Sequence, residues 1–361
     1  MTSSSDKPLL DIDGLRKDLE PPPPNGPTSP NSSVQSIFLF FSFDLVGSTE
    51  FKSNGNDWVT IAKWFYRRIR DYGTLSDINA TVWKYAGDEV LFYHEVADPN
   101  FIEEAVEAAH RILRKVCDEL YADHTESRGR LSIKGVVWMS PIWVEPDLEG
   151  RIAESNGEDA EVKSDASDEC GASDTMFQIG KQPGNPDAGW NTDFLGPNID
   201  IGFRLAAFAR KQQIVVSANL AYFILQRNKA KSSPPTIGGE GSSVEKSKPF
   251  LLVDFMPLKG VLGGDHYPCI WFQAPRVGTL ADDFFYDDHL KDSLIDKAIH
   301  ASQKSTPRDE VDLLEVLEGM YRKRRNWHHS HLLPYETIEQ VICNARNFRR
   351  SLNPSPLKVD K

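Results

Sequence analysis

The chain lacks most of the features that assign a protein to a class at a glance. Its 361 residues include four cysteines, Cys117, Cys170, Cys269 and Cys343, and no C-x-x-C pair. That scarcity argues against a zinc ribbon or a disulfide framework and fits a reducing compartment. No run of about 18 apolar residues occurs, and the polar start of the sequence has no signal-peptide core, so a soluble, cytoplasmic protein without membrane insertion is expected. There is no internal repeat. Positive charge is in deficit, with 41 Lys and Arg against 53 Asp and Glu. Between Val144 and Thr175 eleven acids stand against two bases, so nine of the twelve net negative charges fall in 32 residues and the remainder is nearly neutral. Such a strip has little apolar surface with which to order itself and repels phosphate, which disfavours nucleic-acid binding.

What is present is enough for a packed core, since 40% of the residues are hydrophobic. Residues 1–35, with Pro21-Pro22-Pro23-Pro24 and many Ser, Thr and Asn, read as a flexible leader. Order is expected from Ile37 to Phe43, a short aromatic and aliphatic run of the kind buried on both faces of a sheet, and it ends at Asp44. Trp58, Ile61, Ala62, Phe65, Ile69 and Tyr72 recur at helical spacing. Ala80 to Tyr93 reads as two strands folded at Ala86-Gly87-Asp88-Glu89; Phe101 to Tyr121 is helical, and Leu131 to Met139 is a strand. The order β, α, β-hairpin, α, β predicts an α+β fold of ferredoxin-like type.

Beyond the acidic strip the pattern resumes at Asp193-Phe194-Leu195-Gly196. A helix over 199–209, a strand over 214–217, a helix from Ala218 and strands over 250–256 and 267–272 follow. The expected organisation is a domain over 36–275, carrying an acidic flexible insertion at 145–188 and a polar loop at 229–248. A helical C-terminal appendage over 276–361 follows it, with Val311, Leu314, Leu317 and Tyr321 on one stripe.

Two segments carry chemistry. A buried strand that stops at Asp44 and turns through Leu45-Val46-Gly47-Ser48-Thr49 sets backbone N–H groups beside a carboxylate, where phosphate oxygens and a divalent cation can both be held; a capping acid and a turn glycine would look the same. Asp88 sits at a hairpin tip, a position that favours Asp for conformational reasons alone. Two strand-end acids on adjacent strands would face each other at a separation suited to two hard cations on a triphosphate. His328, His329 and His331 have no partner ligands at metal-binding spacing, and Arg322-Lys323-Arg324-Arg325 reads as a solvated helix end.

Phe43-Asp44-Leu45-Val46-Gly47-Ser48-Thr49 with Lys84-Tyr85-Ala86-Gly87-Asp88 resembles the metal-binding signature of class III nucleotide cyclases. Asp193-Phe194-Leu195-Gly196, followed by Asp200 and Arg204, is similar to that family's stretch of base-reading acid, usual Asn and arginine, and Leu258-Lys259-Gly260 also fits. Phe40-Phe41-Ser42-Phe43-Asp44, Trp83-Lys84, Gly87-Asp88-Glu89, Gly202-Phe203-Arg204 and Tyr267-Pro268 look closest to the pyrimidine cyclases of the Pycsar antiphage system.

The resemblance implies two Mn²⁺ or Mg²⁺ ions on Asp44, the Leu45 carbonyl and Asp88, and phosphate contacts at Gly47, Ser48 and Thr49. It implies base reading by Lys84 and Asp193 and catalytic roles for Arg204, beside the reacting phosphate, and Asp200, which departs from the usual Asn and either touches the ribose or orients Arg204. It further implies a homodimer with its sites between subunits, and conversion of UTP or CTP to a 3′,5′-cyclic nucleotide that acts on a cyclic-nucleotide-responsive effector. Lys84 and Asp193 present one donor and one acceptor, which uracil, cytosine and adenine all satisfy, so the base stays open between UTP, CTP and ATP, as does a catalytically silent nucleotide-binding regulator.

Overall fold

The computed structural model describes residues 34–54, 57–75, 78–144, 174–179, 191–232, 250–260, 266–272, 310–324 and 335–352. The leader up to residue 33, the acidic stretches 145–173 and 180–188, the polar loop over 233–248, Arg325 and the three histidines at 328, 329 and 331 lie outside the described residues.

Strand β1 runs from Val34 to Val46, starting two residues inside the expected leader, and is buried without a break from Ser36 to Phe43. It pairs antiparallel with β3 on one side and β4 on the other, and its side chains are buried on both faces of the sheet, so its sequence is apolar at successive positions rather than alternating. Helices α1 (Ser48–Ser53) and α2 (Trp58–Leu75), the hairpin β2 (Thr81–Ala86) and β3 (Glu89–Glu95), helix α3 (Asn100–Asp123) and β4 (Ser132–Val144) complete the expected order. Ile61, Phe65 and Ile69 of α2 and Ile102, Val106, Ala109, Leu113 and Val116 of α3 are buried in the core, the side chains larger than alanine each worth about 2 kcal/mol of apolar transfer.

The acidic stretch is not wholly an insertion. Asp174–Ile179 forms β5, which pairs parallel with the end of β4 and antiparallel with β6 (Asn191–Leu195). Helix α4 (Pro197–Leu205), a single 3₁₀ turn, β7 (Ile214–Val216), α5 (Ala218–Ser232), β8 (Phe250–Pro257) and β9 (His266–Phe272) follow. The mixed sheet runs β2-β3-β1-β4-β7-β9-β8, with β5 and β6 off that path, and helices pack on it: an α+β fold.

The two C-terminal helices, α6 (Glu310–Arg324) and α7 (Tyr335–Leu352), correct the expectation of an appendage. Leu313, Leu314 and Leu317 of α6 and Ile338 and Ile342 of α7 belong to the same buried core. Gln226 of α5 donates to Glu318 at 3.1 Å, and Arg349 pairs with Glu95 on β3. The helical stripe was visible in the spacing; the surface that covers it comes from distant elements. No helix among the described residues is long and apolar enough to cross a membrane.

Candidate functional site

At the end of β1, strand alternation puts Ser42 and Asp44 on one face, and the register sets Asp44 opposite Glu89 of β3 and Lys134 of β4. Lys134 Nζ lies 3.1 Å from Asp44 Oδ2 and also donates to the Ala206 carbonyl just past α4, at 3.1 Å. Asp88 occupies the β2–β3 turn, entered through Gly87 at φ 66°. Its carbonyl accepts the Leu45 N–H at 3.3 Å, its carboxylate accepts the Ser48 hydroxyl, and Lys52 stands 3.9 Å away. The hairpin tip is therefore fastened to the turn that follows β1.

These acids form one electrostatic unit. Burial raises the Asp44 carboxyl above its ordinary range, the Lys134 ammonium draws it back, and the charge of Asp88 adds to the rise. Glu89 is raised too, first by burial; the Ser42 hydroxyl opposes this, while Asp44 and Asp88 reinforce it. Gly47, between β1 and α1, has φ 83°, and a Cβ there would collide with the Arg130 carbonyl, so the turn demands glycine on both counts. Beside it opens a cleft of about 230 Å³ lined by Gly47, Glu50, Phe51, Gly129, Arg130 and Lys211.

A second cluster forms where β2 meets β6. The register of β2 slips between Val82 and Lys84, a bulge that lets adjacent side chains reach the same side. Trp83 Nε1 and Lys84 Nζ both donate to Asp193 Oδ1, at 2.9 and 3.1 Å, and the Phe194 N–H joins them at 3.0 Å. Burial works against the Asp193 charge, but Lys84, the Phe194 amide and the Trp83 indole outweigh it and hold the carboxyl below its usual value. Lys84 Nζ also lies 4.0 Å from the Trp83 ring centre and 5.4 Å from that of Phe203. The indole is fixed by an aromatic layer, with Phe194 at 5.2 Å and Phe40 at 5.6 Å between ring centres.

Helix α4 carries Asp200 and Arg204 one turn apart, both exposed, and neither has a side-chain partner among the described residues. Its first turn is held from β5, where the Asp174 carboxylate accepts the Ser140 hydroxyl and the Asn198 N–H. Burial raises Asp174; the Ser140 hydroxyl and the Asn198 and Ile199 groups pull it back.

Of the residues singled out from the sequence, Asp44, Leu45, Gly47, Ser48 and Asp88 come together, Lys84 and Asp193 form a separate pair, and Thr49, Asp200 and Arg204 are exposed. Lys134, Glu89 and Asp174 are not singled out by the sequence pattern, and Trp83 stands out there as an aromatic beside Lys84 rather than as a donor to Asp193. Glu89 follows Asp88 directly, whereas Lys134 is recognisable only once β4 is known to lie beside β1.

Among the described residues no group of three or more His, Cys, Asp and Glu side chains is assembled for a metal ion. The acid cluster offers two carboxylates, Asp44 and Asp88, and the neighbouring Leu45 carbonyl, with burial and like charge both disfavouring ionised Asp44. Hard oxygens in this number fit Mg²⁺ or Mn²⁺, which takes one or two carboxylates and completes its shell with substrate phosphates and water.

No family model matches the chain, and no curated protein matches it. Solved structures that resemble it are adenylyl and guanylyl cyclases. The adenylyl cyclase CyaB from P. aeruginosa is 11% identical, covering 69% of this chain and 100% of that one at a TM-score of 0.43. The guanylate cyclase domain of RhGC from Catenaria anguillulae, in complex with GTP, is 13% identical, covering 68% and 100% at a TM-score of 0.39.

Proposed function

We propose that this chain is a nucleotide cyclase, converting UTP to 3′,5′-cyclic UMP and pyrophosphate as a second messenger of antiphage defence. The observation that carries the reading is that the β2–β3 turn bearing Asp88 is fastened, through the Leu45 N–H and the Ser48 hydroxyl, to the end of β1 that bears Asp44, beside the Gly47-Ser48-Thr49 turn. The reaction breaks the 3′ O–H bond, forms a bond from that oxygen to the α-phosphorus and releases pyrophosphate from it. Asp44 and Asp88, with the Leu45 carbonyl, would hold two divalent cations, Mn²⁺ or Mg²⁺. When bound, these ions lower the pKa of the 3′ hydroxyl and offset charge on the leaving group.

The protein's own residues supply the rest. The backbone N–H groups of the Gly47-Ser48-Thr49 turn and the exposed Thr49 hydroxyl give donors to the triphosphate, the Ser48 hydroxyl being engaged by Asp88, and Lys134, already at Asp44, adds positive charge beside it. Lys84 donates to a base carbonyl or ring nitrogen while Asp193, kept ionised, accepts the adjacent N–H. Arg204 aims its guanidinium at charge growing on the transferred phosphate, with Asp200 one turn away on the same face. Exposed and without a side-chain partner among the described residues, these two residues are assigned to the site of a second copy, giving a homodimer with two equivalent sites. The product would act on a cyclic-nucleotide-responsive effector.

The Lys84–Asp193 pair accommodates cytosine and adenine equally well, which makes cytidylate and adenylyl cyclase the competing readings. Purified protein is incubated with each of the four nucleoside triphosphates and Mn²⁺, and products are identified by mass spectrometry. Cyclic UMP as the main product supports the proposal; cyclic CMP or cyclic AMP moves the substrate. No pyrophosphate from any triphosphate removes the enzyme reading and leaves a silent nucleotide-binding regulator.

A further inference from the structure

Asp174 sits in an improbable place for a member of an acidic strip. It is 2% exposed, at the first residue of β5, and both of its oxygens are engaged. One accepts the Ser140 hydroxyl from β4, and the other accepts the Asn198 N–H at 3.0 Å, with the Ile199 amide also directed at the carboxylate. Those amides belong to the first turn of α4, where backbone N–H groups have no partner within the helix and the helix dipole favours negative charge.

The fit is reciprocal. Gly196, just before α4, has φ 145°, and a Cβ there would collide with Asp174. The Asn198 side chain is fixed in turn, accepting from Asn219 Nδ2 of α5 at 3.3 Å. At the far end Lys134 holds the Ala206 carbonyl while touching Asp44. Helix α4 is thus secured at both ends and along its buried side, where Ile199, Ile201 and Leu205 enter the core and Gly202 lies against Trp138. Asp200 and Arg204 themselves are exposed and have no hydrogen-bond or ion-pair partner among the described residues.

We propose that Asp174 is a positioning residue: its buried carboxylate fixes the N-terminus of α4 and so sets where Arg204 and Asp200 point. The proposal rests on the nucleotide cyclase reading. Asp174 touches no substrate; it acts through the helix. A residue needed only for stability would lower the amount of folded protein, whereas this one changes the turnover of folded protein.

The test uses the full chain and the triphosphate that the parent turns over, comparing Asp174→Ala, Asp174→Asn, Ser140→Ala, Arg204→Ala and Asp174→Ala with Arg204→Ala combined. In Asp174→Ala, kcat falls by about 10-fold or more with KM within about threefold, as for a reacting group displaced by about 1 Å. Asp174→Asn keeps an acceptor for the Asn198 N–H and offers a donor to Ser140, and it recovers most of kcat. Adding Asp174→Ala to Arg204→Ala costs no more than Arg204→Ala alone, because both lesions remove one contribution.

An unchanged kcat in Asp174→Ala, an Asn variant no better than Ala, or multiplying losses in the double variant overturns the proposal. Should Asp174→Ala not fold, Ser140→Ala removes one of the bonds and lowers kcat by about threefold with KM held, and an unchanged kcat there overturns it instead. Amide hydrogen exchange at Asn198 and Ile199 separates this from failure of the enzyme reading. Exchange that is faster in Asp174→Ala, or in Ser140→Ala where the former does not fold, and near parental in Asp174→Asn supports the latch whether or not the parent turns over. Exchange identical in all variants refutes it.

Discussion

Asp44 and Asp88 are recessed and already answered by cations: Lys134 is 3.1 Å from one and Lys52 is 3.9 Å from the other. Asp200 and Arg204 stand exposed on α4, with no side-chain partner among the described residues, although α4 itself is secured at both ends. One pair has its charge balanced within the protomer, and the other is mounted on a fixed element with its charges open. On the cyclase reading the difference has a cause: the acid half must be held ready for cations and phosphates, while the arginine half completes a site on another copy. The largest effect therefore belongs to the acids. Asp44→Ala or Asp88→Ala is expected to lower turnover by on the order of 10³-fold, since several kcal/mol of charge stabilisation is lost at about 1.4 kcal/mol per decade. Pyrophosphate release would measure it, and turnover equal to the parent's would show the acids to be turn-forming residues only.

The contrast sharpens further if the two lesions are put on different chains. Arg204→Ala alone should lower kcat by about 10²-fold. Co-expressing Asp44→Ala with Arg204→Ala gives mixed dimers in which one site carries both lesions and the other carries none. Activity should return to roughly a quarter of the parent's, because half of the dimers are mixed and each has one intact site of two. A preparation no more active than the better single variant would place the acids and the arginine in the same chain's site and break the comparison.

The acid end was legible from sequence because it is local. A buried strand ending in Asp44, a turn that needs Gly47, and a hairpin tip at Asp88 are short-range signals, and the β-α-β-β-α-β order that brings them together follows from hydrophobic periodicity. What escaped was set by pairings between distant segments. Lys134 is one lysine on a strand until β4 lies beside β1 in the register that faces it to Asp44. Asp174 was counted with ten other acids of its strip, and only the β4–β5 pairing and the first turn of α4 give it a buried role. The C-terminal helices were read as an appendage for the same reason: spacing reveals an apolar stripe, while the surface that receives it is assembled by the rest of the fold.

The smallest of these three effects is expected at Trp83, on β2. Its indole donates to the same Asp193 oxygen that Lys84 engages, and the bulge before Lys84 is what gives both side chains that reach. Trp83→Phe keeps an aromatic ring against Phe194 and Phe40 but removes the N–H, leaving Asp193 with Lys84 and the Phe194 amide. Losing one hydrogen bond to a charged, partly exposed acceptor costs about 1 kcal/mol, so KM for the triphosphate should rise about fivefold. Steady-state kinetics should show kcat nearly unchanged, because the reacting phosphate lies at the other end of the substrate. A fall in kcat at constant KM would mean that the Asp193 cluster works on the chemistry rather than on the base, and the division between a binding end and a reacting end would have to be redrawn.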